Sequence, residues 1–200
     1  MSDKESLESK INASINTINR TRLNRINFSE RLKKYANRWN IIIFILNIEA
    51  VFLIIWTLYA DADTASTNMA LSSAFFAIYV ILLQYFINEQ SYSERSLKTH
   101  YHQLELRDLM IQLEINKLKL LDLQKDDTSI DNIVKSSTYK AVLNQYEIIM
   151  NSYQLALKNN ENHANRDDLE TKKKLDMKGN VHYDFSFENI FIFINFVVSI

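Results

Sequence analysis

The chain has 200 residues, a formal charge of −1 at neutral pH, one Gly, no Pro and no Cys. Near-zero charge does not point to a wholesale nucleic-acid binder, and the missing Cys excludes disulfides and thiolate sites. Gly and Pro punctuate helices, so a chain almost without them reads as all-α.

Residues 1–38 form a polar segment. Leu7, Ile11, Ile15 and Ile18 recur every three or four residues, the mark of one narrow helical stripe. Charge then becomes one-sided: Arg20, Arg22, Arg25, Arg31, Lys33, Lys34 and Arg38 stand against Glu30 alone. The first long apolar run begins near Asn40, too far along and too long for the apolar region of a signal peptide.

Residues 39–59 are the first expected transmembrane helix. A helix of about 21 residues rises about 31 Å, the thickness of a hydrocarbon core. Trp39, Trp56 and Tyr59 stand at its ends, where interfacial aromatics belong. Between Ile41 and Leu58 lie 13 Ile, Leu, Phe or Val residues. Together they favour insertion by about 4–8 kcal/mol. Glu49, near the centre, costs about 2–3 kcal/mol, so the span survives with Asn47 and Glu49 inside it.

A short acidic loop, residues 60–68, leads to a second expected span at 69–88. Ala70, Ser73, Ala74 and Ala77 fall on one stripe that continues through Ile81, Gln84 and Asn88. Small residues at that spacing let membrane helices approach closely. Lys and Arg concentrate before the first span, which assigns both termini to the cytoplasm and the loop to the outside. The polar positions Asn47, Glu49, Tyr79 and Gln84 are the candidate functional residues of this hairpin. Two readings of Glu49 stand: a protonated acid bonded to a neighbour such as Tyr79, or a residue facing water in an oligomeric pore.

Residues 89–180 read as a cytoplasmic helical hairpin continuing from the second span. Leu97, Tyr101, Leu104, Ile111, Ile115 and Leu118 alternate by three and four, with Asp108 the one break, as a coiled-coil seam does. Leu106, Leu109, Leu113, Leu120 and Leu123 make a second apolar face, so this helix wants more than one neighbour. "KDDTSIDN" (125–132) breaks the helix, and a further one runs from about Ser137 to Asn160 and folds back. The hydrophobic segment 181–200 holds an apolar core of about 11 residues, too short to span. An interfacial or re-entrant helix, or a strand-prone segment against another subunit, are its readings.

No motif supports an enzyme. One Gly cannot build a phosphate loop. His100 and His102 lie two apart on a helix, cannot share a metal, and are expected to be exposed. His163 lacks the paired spacing of a zinc motif. No cofactor is implied.

The basic "RLKKYANRW" before a two-span hairpin, then "YSERSLKTHYHQLELRDLMIQLE", then "YQLALKNNENHANRDD", resembles the SLATT domains, the SMODS- and SLOG-associating two-transmembrane effectors. The resemblance covers about residues 28–170, and its specific part is Tyr153, Leu157, Asn162, His163 and Asp167. It implies a pore-forming effector of bacterial antiphage defence in the inner membrane, oligomeric and triggered by a partner. The branch it looks most like stands beside reverse transcriptases; a nucleotide-signal synthase is the other partner type, with its nucleotide or nucleic-acid product as signal. Arg20–Arg38 and Lys172–Lys174 would then contact phosphates, whereas next to a membrane anionic lipid is the alternative. A membrane-anchored scaffold that assembles without conducting is the second functional expectation.

Overall fold

A computed structural model describes residues 3–59, 64–126, 137–158, 165–175 and 187–198. Every element in it is a helix: α1 (Asp3–Tyr59), α2 (Thr64–Glu89), α3 (Tyr92–Asp126), α4 (Ser137–Lys158), α5 (Asn165–Lys174) and α6 (Phe187–Val198). Residues 60–63 of the loop after the first span, the core of "KDDTSIDN" and Gly179 lie outside the described residues, whereas 64–68 already belong to α2.

The chain divides into two compact units. The first comprises Met1–Ser29 and Leu97–Val181. Its core joins three helices: Leu7, Ile11 and Ile18 of α1; Leu106, Leu109, Leu113 and Leu120 of α3; Tyr139, Val142, Ile149 and Tyr153 of α4. The N-terminal stripe therefore completes what a hairpin of α3 and α4 leaves open. Inside this apolar packing, Asn116 Nδ2 donates to the Val142 carbonyl at 2.9 Å, which satisfies a buried amide across two helices.

The second unit comprises Glu30–Ser96 and His182–Ile200. Leu32, Tyr35, Trp39, Ile42, Leu46 and Ala50 form the inward stripe of α1, and Ser73, Val80, Leu83 and Ile87 that of α2. The remaining faces are inverted relative to a soluble core. Phe44, Val51, Phe52, Leu71, Phe75, Ile81 and Leu82 all stand outward. Two helical stretches are long and apolar enough to cross a membrane, and only 17% and 22% of their apolar windows are buried within the protein. A helix belonging to a soluble core would hide that surface; lipid is the solvent it suits.

One local feature differs from expectation, and the C-terminal segment takes the helical one of the readings left open for it. The helix does not run unbroken from α2 into α3, because Gln90 and Ser91 form a turn with Ser91 at φ 47°. The C-terminal apolar segment is the helix α6, and it packs on the hairpin of its own unit. Phe191 lies 5.4 Å from the Trp39 ring and 6.0 Å from Phe86, while Arg38 Nη1 donates to Asn189 Oδ1 at 2.8 Å. Trp39 is consequently fully buried rather than an interfacial anchor, and among the described residues its indole Nε1 finds no hydrogen-bond partner.

Candidate functional site

The polar residues inside the spans are few, and each is placed by the face of its helix. Asn47 stands on the outward side of α1 and turns its amide back on its own helix, Nδ2 donating to the Ile43 carbonyl at 2.7 Å. Glu49 borders the inward stripe, partly exposed, between buried Leu46 and Ala50 in sequence. Among the described residues its carboxyl has no hydrogen-bond or ion-pair partner. Gln84 is exposed on the outward side of α2.

Tyr79 does not serve Glu49. Its hydroxyl donates to Oδ1 of Asn195 on α6 at 2.5 Å, and Asn195 Nδ2 closes onto the Phe191 carbonyl at 2.8 Å. Asn195 is fully buried. Sequence reasoning passed over it, although an Asn interrupting "FIFINFVV" was itself the signal, since an apolar run keeps such a group only where a partner waits. Between α1 and α6, a cleft of about 420 Å³ is lined by Arg38, Ile41, Ile42, Asn189, Ile192, Phe193 and Phe196.

The small-residue stripe of α2 is only partly turned inward. Ser73 is buried and Ala77 half-buried, but Ala70 and Ala74 are exposed. Val80, Leu83 and Ile87 carry the inward face onward where the stripe pointed to Ile81, Gln84 and Asn88.

The basic cluster does not form one cationic patch. Arg25 is buried. Arg20 is paired through Nη2 with Asp168 Oδ1 at 2.7 Å. Arg22 is half-buried, Arg31 lies 6.0 Å from the Tyr35 ring centroid, and Arg38 meets Asn189. Lys33 and Lys34 are exposed.

The pattern shared with the family resemblance fastens α4 and α5 onto α1. The Tyr153 and Thr21 hydroxyls lie 2.9 Å apart, and Leu157 packs on the core. Asp167 is buried, and its carbonyl accepts from Asn27 Nδ2 at 3.2 Å. Asn27 also donates to Thr171 Oγ1 at 2.9 Å and accepts from Lys174 Nζ at 2.6 Å. Lys172 Nζ adds a 2.9 Å ion pair to Asp168. Hydrogen bonds from Lys172 and Arg20 hold the Asp168 carboxyl down to about 2. Asn162 and His163 lie outside the described residues.

His102 is buried and His100 exposed, so the pair is split as helical spacing requires, but only one of the two meets solvent. Burial, with Arg25 nearby, pushes the His102 imidazole down to about 4. It is neutral in the folded chain, and among the described residues neither ring nitrogen has a hydrogen-bond partner.

Comparison with known proteins gives one result. The family described as SMODS and SLOG-associating 2TM effector domain family 5 matches residues 7–200. That span takes in the N-terminal stripe and the C-terminal helix as well as the hairpin. No curated protein and no solved structure matches the chain.

Proposed function

Because the chain belongs to the SMODS and SLOG-associating 2TM effector domain family 5, a membrane-protein family associated with defence systems and their SMODS and SLOG partners, we propose that it is an oligomeric pore-forming effector of bacterial antiphage defence. A partner enzyme senses infection and issues a nucleotide or nucleic-acid signal. The effector then assembles in the inner membrane, both termini cytoplasmic, and dissipates the ion gradient so that the infected cell stops growing. A reverse transcriptase as the partner, with its DNA as the trigger, is the narrower form of this proposal.

The observation that carries it is the unpartnered carboxyl of Glu49 inside the first span. Asn47 and Gln84 face outward, and Glu49 has no partner among the described residues. An unpartnered carboxyl in hydrocarbon disfavours a lone hairpin by about 3 kcal/mol. Neighbouring copies or pore water relieve that penalty, and two helices cannot enclose a pathway alone.

The test is induced expression with activation, read by a membrane-potential dye. Depolarisation is expected, and Glu49→Leu together with Asn47→Leu should reduce it at equal protein level. A membrane potential that holds at full expression and activation overturns the proposal. Exchange of both spans for an unrelated hairpin abolishes activity if the spans conduct and spares it if they only anchor a scaffold.

A further inference from the structure

α3 is apolar on two sides, and the fold uses one. Leu106, Leu109, Leu113 and Leu120 enter the core of their unit. Leu97, Tyr101, Leu104, Ile111, Ile115 and Leu118 remain exposed, Tyr101 and Leu118 at 62% and 61%. Together with Asp108 they repeat at the alternating four-three step of a heptad seam, a 3.5-residue period that a lone helix packing on its own core does not require. The residues flanking the seam, among them Lys98, Glu105, Arg107, Gln112, Glu114 and Lys119, are exposed as well. The outward side of α3 is thus a complete coiled-coil face with nothing against it among the described residues.

We propose that this face binds α3 of a second copy of the chain, parallel and in register. The proposal rests on the oligomeric part of the function above and adds its surface and its register. In two copies inserted alike α3 begins three residues after α2 ends, so the chain enters both seams from the same direction. In the parallel register each Glu114 lies beside the partner's Lys119, and each His100 beside the partner's Glu105. Arg107 meets the uncharged Gln112, so the one like-charge contact of this register is Asp108, which faces its own copy across the seam. A polar residue at one core position fixes register while weakening the pair, which suits an assembly that forms on demand.

The chain has no native Cys, so single-cysteine variants of the full chain report contacts without background. Leu104→Cys, Ile111→Cys and Leu118→Cys, seven residues apart, are oxidised in membrane vesicles beside Gln145→Cys on the exposed face of α4. Same-position dimers are expected at the three seam sites and not at Gln145→Cys. Glu114→Lys in the Ile111→Cys background should weaken dimer formation about ten-fold, because it turns two attractive pairs repulsive. Adding Lys119→Glu should restore it. Equal yields at Gln145→Cys, dimers only between different positions of two mixed variants, or indifference to charge reversal each overturn the seam. Ion leakage from the same vesicles separates the two proposals. Leakage without seam dimers overturns the seam and leaves the pore; seam dimers without leakage after activation do the reverse.

Discussion

The Tyr79 hydroxyl donates to Asn195 Oδ1 at 2.5 Å, and that bond ties the C-terminal helix to the second span while leaving Glu49 without its expected partner. The contact joins residues 116 positions apart and completes the pairing of a fully buried amide. Tyr79→Phe keeps the ring and strands the Asn195 oxygen, so it should destabilise the fold by about 1 kcal/mol. Asn195→Leu removes the stranded group, and the double variant should therefore lose less than the two single losses combined. Unfolding in detergent measures all four proteins; strict additivity would sink the coupling.

The Asp168 carboxyl, held down to about 2 by Lys172 and Arg20, makes a second prediction with a definite sign. Its ordinary value is 3.8, so the folded chain favours the ionised form. The stability this supplies is complete above 3.8 and fades as pH falls toward about 2. Asp168→Asn should lower stability at neutral pH by about 1 kcal/mol, a modest figure because Arg20 and Lys172 remain in touch with solvent. It should also flatten the wild-type decline below pH 3.8. Helicity against pH for both proteins is the measurement.

His102 acts at milder acidity. The folded chain keeps its imidazole neutral down to about 4, whereas the unfolded chain protonates it at 6.5. The unfolded state binds the extra proton in that window, so stability is full above 6.5 and falls as pH drops toward 4. The whole effect is at most about 3 kcal/mol. His102→Leu should abolish the slope between pH 6.5 and 4 and leave the lower Asp168 limb in place. A slope that survives the substitution would assign it to another group.

Much of this architecture is written in local pattern. Near absence of Gly and Pro dictates helices, and apolar runs of span length mark the hairpin. Both apolar faces of α3 are visible as periodicities, but a period does not say which face turns inward. That choice is made by Leu7, Ile11 and Ile18, about a hundred residues away, which share one core with Leu106 and Leu113 while the heptad seam stays outside it. The burial of Trp39 beneath Phe191 is equally long-range: a short apolar tail is as compatible with another subunit as with its own chain. His102 differs from His100 only through its position on the helix, and the composition around it gives no warning. The polar residues of the spans were readable as candidates because an ionisable group in hydrocarbon is rare. Their partners were not, because Asn195 lies on a helix too short to be recognised as part of the membrane unit.

The turn at Ser91 yields the last prediction. Glu89 ends one helix and Tyr92 begins the next, and Ser91 bridges them in the left-handed region at φ 47°. For a residue with a Cβ that conformation costs about 1–2 kcal/mol, which is why helix ends of this kind favour Gly. The surrounding bonds hold the serine there. Its backbone N–H donates to the Asn88 carbonyl at 3.0 Å, its own carbonyl accepts from Arg95 N at 2.9 Å, and its Oγ donates to Asn88 O at 3.2 Å. Ser91→Gly relieves the Cβ clash but gives up the hydroxyl bond and adds freedom to the unfolded chain, so the net gain should be a few tenths of a kcal/mol up to about 1. Ser91→Val keeps the clash, adds a β-branch and loses the hydroxyl, and should destabilise by more than 1 kcal/mol on the same reasoning. The opposite signs are the diagnostic: a backbone that follows a straight helix through residue 91 would penalise Gly and tolerate Val, and detergent unfolding of the two variants against wild type decides between these geometries.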